Sequence, residues 1–225
     1  MESSKRSLLE QGLSTLKDNV LRIGSLTGNQ TQQAVRALKE RDAPLAREVI
    51  ALDEQLNALR YQVERDALRV IATQQPTAGD LRFIVACMHM AVEMERMADH
   101  ARGIAEIALR IGDEPFIKPL IDIPRMQEIV CEMLRVAMDA FVKLDVAAGR
   151  ALIERDQEVD ELYRQVLREL LTYMMQDHRT INQATLLLWV AHNLERIGDR
   201  AVNLCERIIF AAQGELGDFS TKRQD

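Results

Sequence analysis

Two acid pairs a hundred positions apart are the residues best placed to do chemistry in this chain. They are Glu95-Arg-Met-Ala-Asp99 and Glu195-Arg-Ile-Gly-Asp199, and both read Glu-Arg-x-x-Asp. On a helix, i and i+4 lie on one face a turn apart. Two carboxylates at that spacing repel unless a cation sits between them. A second pair, Asp156-x-x-x-Asp160, precedes the later motif. Its counterpart before the earlier motif is Asp53-x-x-x-Asn57, with one acid replaced by an amide. If the helices carrying them are antiparallel neighbours, each half brings four oxygen-bearing side chains to one seam. Clustered carboxylates disfavour each other's ionisation, and a hard or borderline cation relieves this. Such a donor set suits Mg, Ca, Mn or Fe better than Cu(I) or structural Zn. A lone E-x-x-x-D is ordinarily a solvated helix face. Here Arg96, Arg102, Arg196 and Arg200 are available as partners. The matched duplication is what argues for a shared role.

Apolar spacing supplies the helices that must position these acids. The first runs from Ser7 to about Arg41, where Gly24 and Gly28 mark either a kink or break or a continuous long helix, since a glycine costs only about 1 kcal/mol. Asp42-Ala-Pro44 opens the second, which ends near Thr73 ahead of Gln75-Pro76. Thr77-Ala-Gly-Asp80 resembles a capping box for the third, which reaches Ile111. Gly112, Pro115, Pro119 and Pro124 mark residues 112–124 as a linker. Periodicity resumes at Met126, Asp145 caps a fifth helix, and Thr180-Ile-Asn-Gln183 is a capping box for a sixth, ending near Ala212. Asp42 and Asp145 share an offset of 103, the acid motifs one of 100. The expected fold is all-α: two tandem three-helix bundles related by internal duplication. They span residues 1–111 and 125–212, with a polar tail at 213–225.

In the last helix the apolar residues at 187, 190, 194, 197, 201, 204 and 208 define an a/d seam. Glu195 then falls at b and Asp199 at f, on the outer face, as do Glu95 and Asp99. The acids are thus expected to form an exposed metal or docking surface. A buried di-iron centre is not expected.

The 225 residues carry a net charge of −6 and a pI near 5.4. That gives no support for nucleic-acid binding. Hydrophobic residues are 47% and aromatics 4%, a composition that favours helix over strand. MESSKRSLLE lacks an apolar signal-peptide core, and the longest apolar run, Leu186 to Ala191, is too short to span a bilayer. A cytoplasmic location is expected, with membrane contact only through partners. Cys87, Cys131 and Cys205 form no C-x-x-C and read as buried reduced thiols. No phosphate-binding loop, dinucleotide fingerprint or H-E-x-x-H occurs, and none of the four histidines follows a glutamate by three, so no enzyme is indicated. His89 reads as a helix-pair contact. Met88, Met90, Met94, Met97, Met174 and Met175 read as core filler.

Gln74-Gln-Pro-Thr-Ala-Gly-Asp-Leu-Arg82, Met94-Glu-Arg-Met-Ala-Asp-His100 and Leu194-Glu-Arg-Ile-Gly-Asp-Arg200 with Asn203 resemble the PhoU family. The likeness runs from about Leu8 to Phe210. It implies two three-helix bundles, a homodimer, and multinuclear metal clusters on paired E(D)-x-x-x-D motifs, with Fe, Mn, Mg and Zn all open. Carried over, one site is Asp53, Asn57, Glu95 and Asp99; the other is Asp156, Asp160, Glu195 and Asp199. It also implies negative regulation of high-affinity phosphate uptake. The implied partners are the ATPase subunit of a phosphate ABC transporter and a phosphate-sensing histidine kinase. A metal-storage bundle and a plain helical scaffold are the alternatives.

Overall fold

The computed structural model describes residues 2–215, with side chains from Arg6 onward. It contains six α-helices: α1 Glu2–Glu40, α2 Ala43–Gln74, α3 Ala78–Ile111, α4 Asp122–Lys143, α5 Val146–Gln176 and α6 Ile181–Gln213. A 3₁₀ turn, His178–Thr180, precedes α6. Among the described residues there is no strand, and no helix is long and apolar enough to cross a membrane. The polar tail expected at 213–225 lies, from residue 216, outside the described residues.

The duplication is visible in matching turns. Arg41 and Leu144 both take left-handed backbone, φ 56° and 51°. The next residue closes each turn: Asp42 N donates to Ala37 O and Asp145 N to Ala140 O, both at 2.9 Å. The aspartate then caps the following helix. Asp42 accepts from Leu45 N at 2.9 Å and Asp145 from Ala148 N at 3.1 Å. This closure satisfies the last carbonyls of one helix and the first amides of the next.

Within each half, α1–α3 and α4–α6 pack as three-helix bundles. Between halves α3 runs antiparallel to α6, and α1 to α4. One continuous apolar core results, holding Leu16, Ile23, Met90, Met94, Met97, Met133 and Phe141 with residues of α5 and α6. A pseudo-two-fold passes between α3 and α6. Glu93 Oε2 accepts from Arg200 at 3.2 Å and from Asn203 at 2.9 Å. The positions equivalent to Glu93 and Arg200 are Asn193 and His100, and these also meet, Oδ1 to Nδ1 at 2.9 Å.

Of the two readings of the first helix, the continuous one holds: α1 is unbroken through Gly24, which serves close approach. A Cβ there would lie 2.6 Å from Met138 Sδ and 3.3 Å from Met94 Sδ. Several other local expectations are revised. α4 begins at Asp122, because Pro124 fits a first turn that needs no amide donor there. Neither threonine capping box forms. Thr77 Oγ1 donates to Asp80 at 3.0 Å, and Thr180 to Asp177 O at 2.7 Å. Gln183 instead accepts from Ile117 N and donates to Pro115 O, fastening the linker. His89 is exposed, so it is no helix-pair contact. Met175 is 81% exposed and fills no core, whereas Met90, Met94 and Met97 are fully buried.

Two of the three thiols are as read, and Cys131 is less buried than expected. Cys87 and Cys205 are buried and free, and burial pushes both up to about 12. Cys131 is half-buried and also raised by burial. A thiolate is the reactive form. Native protein at pH 8 is therefore expected to release little chromophore with Ellman's reagent, and the urea-unfolded chain all three equivalents. Rapid titration of two thiols in the native state would contradict this burial.

Candidate metal centres between paired helices

The first seam lies where α2 meets α3. Leu56 and Val63 turn the apolar side of α2 inward. Asp53 and Asn57 then stand a turn apart at the edge facing α3. Asp53 Oδ2 accepts from Asn57 at 3.2 Å and from Arg102 on α3 at 3.3 Å. Asp53 Oδ1 is buried with no hydrogen-bond partner. Burial raises the Glu95 carboxyl above its usual range, and nearby Asp99 and Asp53 raise it further. Asp99 is raised by burial and then by Asp53. Arg60 Nε stands 3.9 Å from Glu95 Oε1.

A raised folded-state carboxyl opposes folding when ionised. For Glu95 the penalty is fully present above its raised pKa and absent below the ordinary value of 4.5. Glu95→Gln is therefore expected to stabilise chelator-treated protein at pH 7.5 by about 0.5 kcal/mol, or about 1–2 °C in Tm. The gain should vanish near pH 4. A lower Tm than wild type at pH 7.5 would show that Arg60 outweighs the like charges.

The second seam joins α5 to α6. Asp156 is buried, and a Cβ on Gly198 would come within 2.9 Å of its Oδ1. Glycine here leaves room for that carboxylate between Glu195 and Asp199. The equivalent position in the first seam is Ala98, also buried. Asp160, Glu195 and Asp199 side chains are only 14–19% exposed. Arg196 Nε approaches Glu195 Oε2 at 3.4 Å, and its Nη1 donates to Asp199 Oδ2 at 2.9 Å. Arg164 lies 3.5 Å from Asp160. His192 Nδ1 is 3.7 Å from Glu195, and its pKa is lowered by burial.

The acids thus do not sit on an open outer face. A two-helix seam would leave b and f outside, but α6 packs on α3, α4 and α5 together. Asp99 alone of the eight is exposed. Asp53 lies with Asn57, Glu95 and Asp99, and Asp156 lies against the α6 motif at Gly198, while Asp160 is paired with Arg164. The donor chemistry is oxygen-rich and fits a hard or borderline cation. Among the described residues, however, no three His, Cys, Asp or Glu side chains stand ready as a ligand set. Arg60 and Arg102 in one seam, and Arg164 and Arg196 in the other, draw the carboxylates instead. Sequence reasoning missed Gly198 and Glu93. A glycine inside a strong apolar helix stripe was the available signal for the first; nothing local marks Glu93.

A family model described as the PhoU domain matches residues 20–108 and again 123–208. The chain is 43% identical over 204 residues to a phosphate-specific transport system accessory protein PhoU homolog of Caulobacter vibrioides, covering 90% of this chain and 89% of that one. It is 39% identical over 204 residues to the homolog of Aquifex aeolicus, covering 91% and 92%. The fold matches the crystal structure of PhoU from Pseudomonas aeruginosa with a TM-score of 0.87 at 32% identity, over 92% of this chain and 99% of that one. The phosphate transport system regulatory protein PhoU from Streptococcus pneumoniae gives 0.87 at 27% identity, over 94% and 100%.

Proposed function

Because this chain belongs to the PhoU family, we propose that it holds a phosphate ABC transporter in check and relays its state to a sensor histidine kinase. It is a regulatory accessory protein of phosphate transport and not an enzyme. The contacts proposed are with the transporter's ATPase subunit and with the kinase, in the cytoplasm, by a homodimer. The support is the PhoU domain match in each half, on a chain whose two halves carry corresponding, though not identical, acid seams.

The seams are proposed to hold metal when their arginines turn aside. Asp53, Asn57, Glu95 and Asp99 would hold one group, and Asp156, Asp160, Glu195 and Asp199 the other. A bound divalent or iron-type cation would supply charge neutralisation. The protein's own part is to keep these carboxylates crowded, and all but Asp99 at least half-buried, so that a cation or a guanidinium relieves them.

The deciding experiment is deletion of the gene in its own organism. Phosphate-starvation genes should then be expressed in phosphate-rich medium, and the intact gene should restore repression. Normal repression in the deletion strain would overturn the regulatory reading. Seam variants that lose metal yet still restore repression would separate metal from regulation.

A further inference from the structure

Behind the first seam, α1 carries a buried polar stretch that its counterpart α4 lacks. Thr27, Gln30 and Thr31 are buried. At the 103-residue offset that relates Asp42 to Asp145, the same places in α4 hold Val130, Met133 and Leu134, all buried and apolar. Both threonine hydroxyls find backbone partners. Thr27 Oγ1 donates to Met94 O at 3.3 Å and Thr31 Oγ1 to Thr27 O at 2.9 Å. Gln30 is only half satisfied. It has no exposed surface, its Nε2 donates to Val49 O at 3.1 Å, and its Oε1 has no hydrogen-bond partner. A buried acceptor left unmet is costly.

Two contacts set that oxygen at the back of the seam. Val49 O lies on the turn of α2 that carries Asp53, because a helical carbonyl at i meets the amide at i+4. Thr27 fixes α1 against Met94, and α1 and α3 run in the same direction. A turn later Gln30 is therefore level with Ala98, where α3 shows only a methyl group between Glu95 and Asp99. Asn57 and Arg102 both serve Asp53 Oδ2 and leave Oδ1 unmet. Among the described residues of the first half, Gln30 Oε1 and Asp53 Oδ1 are the only buried side-chain oxygens without a donor. Acceptors cannot pair with each other, but a cation serves both at once.

On the metal reading of the seams, we propose that Gln30 Oε1 is an inner ligand of the first seam's cation, beside Asp53 Oδ1. α1 then joins α2 and α3 in the site, and the amide oxygen makes up in donor number for the carboxylate that Asn57 lacks. A set of carboxylate and amide oxygens suits Ca²⁺ or Mn²⁺. It suits Mg²⁺ less well, since Mg²⁺ keeps several of its waters. Met133 stands at the matching place behind the second seam and offers no oxygen. The two seams are thus inequivalent cation sites on equivalent helices.

Calorimetric titration with Mn²⁺ tests this on chelator-stripped full chain carrying Asp156→Asn, which leaves the first seam to be read by itself. Adding Gln30→Met, the residue of the second half, should weaken Mn²⁺ binding at least about ten-fold. The metal-free melting temperature should hold level or rise, because the unmet acceptor is gone. Gln30→Glu keeps the oxygen and should bind Mn²⁺ at least as tightly as its parent. Mn²⁺ affinity indifferent to Gln30→Met would overturn the proposal and leave Gln30 as a packing amide or the holder of a water. Equal loss in Gln30→Met and Gln30→Glu would overturn it too. An Asp156→Asn parent that binds neither Mn²⁺ nor Ca²⁺ would instead remove the metal reading of this seam, and the role of Gln30 with it.

Discussion

Phe141→Ala should lower the melting temperature by about 6–20 °C, the largest single-site loss of stability expected here. Removing a fully buried phenylalanine costs about 3–5 kcal/mol, against a total stability of about 5–15 kcal/mol. Phe141 has no exposed surface, and its ring stacks on Phe83 with centroids 5.4 Å apart and planes 7° from parallel. Phe83 belongs to α3 and Phe141 to α4, so this contact ties one half to the other. Its carbonyl also accepts from Leu144 N at the turn into α5. Phe83 is only half-buried, so Phe83→Ala should cost less. The double variant should recover about 0.5–1.5 kcal/mol of coupling, the excess of a ring pair over its buried area. Urea melts followed by circular dichroism would measure all three. A Phe141→Ala midpoint within a few degrees of wild type would mean that the halves are held together elsewhere.

The second large effect concerns the seams. Chelator-stripped protein given Mn²⁺ or Fe²⁺ at about 100 times the dissociation constant should gain about 2.7 kcal/mol per site. At this chain length that is about 5–10 °C. Asp156→Asn should remove the second seam's share of the rise and Asp53→Asn the first's, and the two together should abolish it. Helical content at 25 °C should stay unchanged in each. The second seam offers four carboxylates, and the first offers three and an amide, so the Asp156→Asn chain should need more metal for the same shift. A wild-type chain whose Tm ignores every divalent ion would leave the acids to their arginines.

The elements were legible because each rests on a local signal. Asp42 and Asp145 announce themselves as caps, and both capped helices begin where they predict. The pairing of Asp156 with the α6 motif was legible too, since duplication limits which helices neighbour each other. Depth was not legible. Glu195 and Asp199 look exposed on a single heptad seam, and only the third packed helix shows them half-buried. Spacing made Arg196 available to its own motif's acids, and the two do pair; it could not reveal that Arg200 crosses to Glu93 on α3, because rotamer choice depends on surroundings that a periodic pattern does not contain. Gln183 shows the same limit. It sits where a capping box would use it, yet its amide goes to the backbone of a linker 66 residues away. A local rule loses there to a distant chain with unsatisfied groups of its own.

The pairs across the α3–α6 axis carry a last consequence. In a symmetric dimer of one repeat every substitution would appear twice, so no position could change on one side alone. Joined in a single chain, the two copies are free of that rule. One side keeps Glu93 against Arg200, a charged pair. The other has Asn193 against His100, whose imidazole is held below its usual range by burial and so favours the neutral form. The halves have thereby become chemically distinguishable across the axis. A duplicated chain can differ from one side of its pseudo-two-fold to the other, where a true dimer repeats the same contact twice.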